Sequence, residues 1–203
     1  MTTLINKLVL VSVGASMLLS LPIGGCIREI ESNSYMASYT IYNGIDMTSD
    51  GNSLNIKFIA ENHVSIESRD AEKQLYDALC RLNGDTMYNG VLEKHGAFIT
   101  GGYAYYPNIN AINLVSDTDF DAEHPVGTSL NDCFELEYEH YEKFDENGRK
   151  TKRVKLSEIG EIKCITNDLK LFFIIQPTKD VTLTATITTD NGKVFTSSCT
   201  HNR

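Results

Sequence analysis

The constraint that narrows the fold most is a period-two alternation of apolar and polar residues, repeated along the chain and broken by turn residues. In residues 134–139 Phe134, Leu136 and Tyr138 alternate with Glu135, Glu137 and Glu139, and residues 182–188 and 193–199 flank Asp190-Asn191-Gly192. Side chains alternate between the two faces of a strand, so this pattern specifies strands with one face in a core. A three-residue loop with its glycine left-handed closes the last two strands as a hairpin and sets Ile187 opposite Phe195. The same loop chemistry at Glu146-Asn147-Gly148 predicts a hairpin with Tyr138 opposite Leu156, Glu139 opposite Lys155 and Glu142 opposite Lys152.

Further strands are expected over Tyr39–Met47, with a bulge or turn at Asn43-Gly44, over Leu54–Phe58, Val64–Ile66 and Ile109–Val115, and over Ile159–Thr166. Leu169–Ile175 is nearly continuous in apolar residues, which predicts a strand covered on both faces. One helix is expected over about 70–82: Asp70 can cap it, Ala71, Leu75, Ala78, Leu79 and Leu82 share an apolar face, and Gly84 suits the left-handed exit. Residues 83–111 are rich in Gly, Asn and Tyr and read as a long loop or as short strands at a sheet edge. Together these elements predict a mainly β fold, an antiparallel β-sandwich of Ig-like or Greek-key type with one short helix. The chain has no tryptophan, so it lacks the usual immunoglobulin core marker.

The N-terminus gives an expected compartment. Lys7 precedes an apolar run, Leu8 to Leu19, and a small-residue approach to Cys26, which is the layout of an export signal. Pro22, Gly24 and Gly25 interrupt the run before it reaches the roughly 20 residues a membrane span requires. Ile23-Gly24-Gly25-Cys26 resembles the bacterial lipobox. That resemblance implies a signal peptide over 1–25, a lipidated Cys26, a polar tether over 26–37 and one domain over 38–203. Ile27 stands where retained lipoproteins carry Asp, so the resemblance implies the outer membrane as the expected destination, on its periplasmic face or at the cell surface. The membrane partner is then reached through lipid on Cys26. The chain carries a formal net charge of −9, which repels phosphate backbones and excludes nucleic acid as an expected partner.

Four more cysteines, Cys80, Cys133, Cys164 and Cys199, lie in an oxidising compartment on this reading. They allow two disulfides in three connectivities, or four buried thiols. No C-x-x-C or Cys/His cluster at zinc spacing exists, so no metal, cofactor or catalytic residue is expected. Asp117, Asp119 and Asp121 begin like a calcium loop, but Ala122 replaces the turn glycine and Thr128 the bidentate Glu, which favours a solvated acidic loop. His140 lies on the Phe134-Leu136-Tyr138 face and reads as a half-buried strand residue. Tyr88, Tyr103, Tyr105 and Tyr106 are candidate contacts for sugar rings, although packing is the commoner use of tyrosine.

Ile112-Asn113-Leu114-Val115-Ser116-Asp117, Asp119-Phe120-Asp121, His124 to Asp132 with Phe134, and Pro177 to Ile187 followed by Asp190-Asn191-Gly192 resemble a family of small Bacteroidetes lipoproteins of unknown function. The resemblance implies an exported, lipid-anchored protein and brings no activity with it. Asp85-Thr86-Met87 is similar to the O-glycosylation site of such exported proteins. The expected function is a non-enzymatic binding or assembly module with an extracellular protein or glycan partner. The alternatives are a carbohydrate-binding accessory protein and, third, an enzyme whose site is scattered in sequence.

Overall fold

The structure is a computed structural model of the 203-residue chain and describes residues 36–85, 102–141 and 149–203. The signal, Cys26, most of the tether, Thr86, Tyr88 and the Glu146-Asn147-Gly148 loop lie outside the described residues.

Among the described residues the fold is mainly β and sandwich-like, with two sheets and one α-helix. In chain order the elements are β1 (Met36–Ser49), β2 (Ser53–Ser65), α1 (Asp70–Asn83), β3 (Gly102–Tyr106), β4 (Ile109–Ser116) and β5 (Phe134–Tyr141). There follow β6 (Arg149–Lys155), β7 (Leu169–Phe173), β8 (Val181–Thr189) and β9 (Val194–His201). One sheet has the order β3-β1-β2-β7-β5-β6 and the other β4-β8-β9. Among the described residues the strand pairings are antiparallel except β1 with β3, where the Tyr-rich segment adds a parallel edge strand. No helix among the described residues is long and apolar enough to cross a membrane.

Alternation builds the core as expected. Leu54, Leu171 and Leu136 lie in one line across β2, β7 and β5. Leu183, Ala185 and Ile187 of β8 face them from the other sheet, in the same buried cluster with Ile112 and Leu114. Each fully buried Leu or Ile contributes roughly 1.5–3 kcal/mol from removal of its apolar surface from water. β1 and β9 join the two sheets: the Met47 amide donates to Ser197 Oγ at 3.0 Å, and the Tyr42 and Phe195 rings lie 5.2 Å apart. The expected pairing of Ile187 with Phe195 is present, and Gly192 is left-handed at φ +80° in the loop that sets it. Asn43-Gly44 forms a bulge inside one continuous β1.

Several expectations are corrected. In the β5/β6 hairpin Lys155 faces Glu135, Arg153 faces Glu137 and Lys152 faces Tyr138, a slip of four residues from the expected register. An even slip keeps every side chain on its face, so the apolar pattern cannot tell the two registers apart. Charge separates them: Arg153 pairs with Glu135 at 2.7 Å and Arg149 pairs with Glu139. Leu156 meanwhile leaves the strand for a buried 3-10 turn. Residues 159–166 form only isolated bridges, Ile109 with Ile162 and His140 with Ile165, not a strand.

β7 is covered on one face, not both. Leu169 and Leu171 are buried, whereas Ile174 and Ile175 lie beyond the strand and are exposed. α1 is present, but Asp70 is not its cap; Arg69 occupies that position without a side-chain hydrogen bond. The buried face is Tyr76, Leu79 and Cys80, and Leu75 and Leu82 face solvent. The reason is Tyr76, whose hydroxyl donates to the Met36 carbonyl at 2.6 Å and whose ring lies 6.2 Å from Tyr39. A tyrosine with a partner for its polar end outcompetes leucines for the docked face.

Candidate functional site

Residues 117–133 connect β4 to β5, and the sequence shapes this loop through short-range hydrogen bonds. Asp117 Oδ1 accepts the Thr182 amide at 2.9 Å and Asp119 Oδ1 accepts the Val126 amide at 2.9 Å. Asp121 Oδ1 accepts the amides of Glu123 and His124 at 2.8 and 2.9 Å, the Asx-turn habit of aspartate. The three carboxylates that resemble a calcium loop are therefore each turned to a different backbone segment. At the far end Asn131 bridges back to β4, its Oδ1 accepting from the Leu114 amide at 3.0 Å and its Nδ2 donating to the Ile112 carbonyl at 2.8 Å. Phe120 and Leu130 are fully buried and anchor the loop in the core.

This frame brings together residues that the sequence holds apart. His124 Nδ1 lies 2.8 Å from Asp121 Oδ1, and His124 Nε2 lies 3.5 Å from Cys133 Sγ and 3.2 Å from Asp132 Oδ2. Cys133 Sγ is in turn 3.8 Å from Asp132 Oδ1. The Phe120 ring meets the imidazole edge-on at 6.3 Å, and the Phe120 amide donates to the His124 carbonyl at 2.9 Å. The imidazole is largely buried and Cys133 fully so, while the Asp132 side chain is 63% exposed, so the cluster opens to water on that side.

Electrostatics follow the contacts. The hydrogen bond to Asp121 raises the His124 pKa against the opposing pull of desolvation. Desolvation pulls the Asp121 carboxyl up, but the hydrogen bonds from the His124 ring and the two amides outweigh it and leave it below its ordinary value. The His124 hydrogen bond likewise lowers Asp132. Burial, assisted by the Asp132 and Asp121 charges, pushes the Cys133 thiol up to about 12. A Cys-His-Asp order is the spatial order of nucleophile, base and orienting acid. Here the thiol is covered and protonated, which makes it a poor nucleophile.

The other expected residues are dispersed. Tyr103 is exposed with the Arg149 guanidinium 5.7 Å from its ring centroid; Tyr105 packs 4.7 Å from Phe58 and 6.4 Å from Tyr42. Tyr106 lies on the opposite face of β3 and packs against the cluster of Tyr39, Tyr76, Cys80 and Cys164. The three rings do not share a plane of approach. The four described cysteines are free thiols, with Cys80 and Cys164 in that one cluster and Cys133 and Cys199 elsewhere. His140 is buried beside Tyr138, ring centroids 5.2 Å apart, as a strand residue of the expected face. Asp85, next to the candidate glycosylation residue Thr86, is buried and accepts the Met36 amide at 2.8 Å.

Sequence reasoning missed the cluster because nine positions separate His124 from Cys133, outside the short spacings that mark metal or redox motifs. The available signal was the pair of fragments Asp121-x-x-His124 and Asp132-Cys133 flanking a turn. Comparison with known proteins finds no matching family model, no matching curated protein and no matching solved structure.

Proposed function

We propose that the chain is a lipid-anchored extracytoplasmic protein, held in the outer membrane through Cys26, whose β-sandwich acts as a non-enzymatic binding or assembly module. The observation that carries this reading is Ile23-Gly24-Gly25-Cys26 at the end of an interrupted apolar run behind Lys7. Each buried CH2 of an acyl chain contributes roughly 0.8 kcal/mol, so two or three chains on one cysteine hold a protein whose net charge of −9 does not draw it to anionic lipid. The resemblance to small Bacteroidetes lipoproteins supports the same address. The covered, protonated thiol of Cys133 favours binding over turnover, since it is the thiolate that attacks.

Metabolic labelling with tritiated palmitate tests the anchor. Label is expected in the full-length protein and not in Cys26→Ala, and an unlabelled wild-type protein in the soluble cell interior would refute the reading. A glycan array with the same protein sorts the partner class: binding to a polysaccharide that Tyr103→Ala removes moves the partner from protein to carbohydrate.

A further inference from the structure

We infer that the loop between β4 and β5 holds a divalent transition metal of the zinc class, ligated by His124 Nε2, Cys133 Sγ and a carboxylate oxygen of Asp132, with Asp121 orienting the imidazole. The site is independent of the membrane anchor. Its first support is distance. Zinc binds Cys sulfur at about 2.3 Å, His nitrogen at about 2.0–2.1 Å and carboxylate oxygen at about 2.0–2.2 Å, so tetrahedral ligands sit with sulfur about 3.5 Å and oxygen about 3.3 Å from the nitrogen. In the structure Cys133 Sγ lies 3.5 Å and Asp132 Oδ2 3.2 Å from His124 Nε2. Two separations from Nε2 thus match a metal's ligands, and the Asp132 carboxylate reaches Cys133 Sγ through its other oxygen, Oδ1, at 3.8 Å.

The second support is the tautomer. Asp121 Oδ1 faces Nδ1 at 2.8 Å, so in the neutral imidazole Nδ1 carries the proton and Nε2 turns its lone pair toward the thiol and the Asp132 carboxylate. Nδ1–H donating to a carboxylate is the common outer partner of a metal-bound histidine. With Nδ1 turned to Asp121, Nε2 is the ring nitrogen that faces Asp132 and Cys133, the position a cation would take. Binding displaces the Cys133 proton to solvent and leaves a thiolate on the metal. The third support is rigidity: Asn131 fixes the chain immediately before Asp132 and Cys133 to β4, and Phe120 braces the imidazole, so the ligands need little rearrangement. Nitrogen, sulfur and oxygen donors together suit zinc better than calcium or magnesium, which take oxygen alone. With three protein ligands and Asp132 on the exposed side, the fourth position faces solvent and takes water.

Cobalt(II), a spectroscopic stand-in for zinc, tests the site on full-length protein purified in detergent and stripped with a chelator. One equivalent is expected to produce a thiolate-to-cobalt charge-transfer band in the near ultraviolet with tetrahedral visible bands, and zinc is expected to displace them. Cys133→Ser abolishes the near-ultraviolet band. Asp121→Asn keeps the band but weakens binding about 10- to 100-fold, as loss of an outer-shell partner does. The Asp132 side chain is exposed, so Asp132→Asn preserves folding and weakens cobalt binding even where Cys133→Ser fails to fold. Wild-type protein without the band, or a band that survives Cys133→Ser and is lost in Cys80→Ser, overturns the proposal. Unchanged affinity in Asp132→Asn removes that residue from the ligand set and overturns the three-ligand site.

Discussion

Replacing two adjacent residues of β7, Leu171→Ala and Phe172→Ala, tests which face of the central strand is inside. Leu171 is fully buried, opposite Leu54 on β2 and Leu136 on β5. Truncating a buried leucine removes its transfer free energy and leaves a cavity that its two neighbouring strands, each fixed by backbone pairing, can fill only in part, a cost of about 3–5 kcal/mol. Phe172 points the other way, partly buried beside Glu135 and Ser53, with the Arg153 guanidinium 3.9 Å and the Lys170 ammonium 5.1 Å from its ring centroid. A cation over a ring at an exposed site is worth about 0.5–1 kcal/mol, and with some lost burial Phe172→Ala costs about 1–1.5 kcal/mol. Urea unfolding followed by circular dichroism reads both. With a slope of about 2 kcal/mol per molar, the midpoint falls by about 1.5–2.5 M for Leu171→Ala and by about 0.5–0.8 M for Phe172→Ala. Were β7 covered on both faces, the larger phenylalanine would cost as much as the leucine or more. Equal midpoints, or the reverse order, refute the one-sided placement.

Three other outcomes follow from single contacts. Hydrogen bonds from the Ser53 hydroxyl, then from the Asn52 and Ser53 amides, lower the Asp50 pKa from 3.8 to about 2. Its contribution to the β1–β2 turn is therefore complete above 3.8 and lost as pH falls through about 2, so the melting-temperature gap between wild type and Asp50→Ala should close over that window and stay constant above it. A Cβ on Gly102 would meet the Tyr141 hydroxyl and come within 2.6 Å of Met36 Cε. Gly102→Ala is therefore expected to cost about 1–3 kcal/mol in the same urea assay, and a neutral result would show that the smaller cluster can open at no cost. Under a glutathione-disulfide buffer, which takes up the two electrons, Cys80 and Cys164 are expected to link because they share one buried cluster. Non-reducing peptide mass mapping checks this, and a Cys133–Cys199 link in their place contradicts the placement of both clusters.

How much of the fold was legible in the sequence depended on whether a local signal had a single structural solution. The register of β8 and β9 was readable because Asp190-Asn191-Gly192 admits one loop length and the glycine is left-handed there, although both strands run one or two residues beyond the expected bounds. β5 and β6 had the same alternation, yet Tyr141 stands opposite Arg149, four residues from the register that a three-residue Glu146-Asn147-Gly148 loop requires. The charge argument was sound in kind and was applied to too few pairs: the observed register satisfies Glu135 and Glu139 together. For α1, helical periodicity located the element, but two stripes overlap on it. Only the Met36 carbonyl and the Tyr39 ring, more than thirty positions away in sequence, decide for Tyr76, Leu79 and Cys80.

The cluster at His124 was invisible for a related reason that bears on how such a fold can acquire chemistry. Strand patterns report which residues face the core; they do not report which loop residues meet. Here the meeting is imposed by the scaffold: Leu130 donates its amide to the Leu114 carbonyl at 2.8 Å, Thr178 to the Phe120 carbonyl at 3.2 Å, and the Ile174 amide to the Cys133 carbonyl at 2.8 Å. Three strands, β4, β5 and β7, and the approach to β8 thus fix one loop from several sides. A connection of this length whose regular structure is one 3-10 turn, Asn131–Cys133, is uncommon unless it has a use. Asp119, Asp121 and His124 are bound to the loop's own amides and to one another, and Asp117 and Asn131 to the neighbouring strands, so this part of the loop is ordered before any ligand arrives. Side chains held in this way lose little conformational entropy on binding, and that makes this loop a better place for recognition than the exposed tyrosine edge of β3.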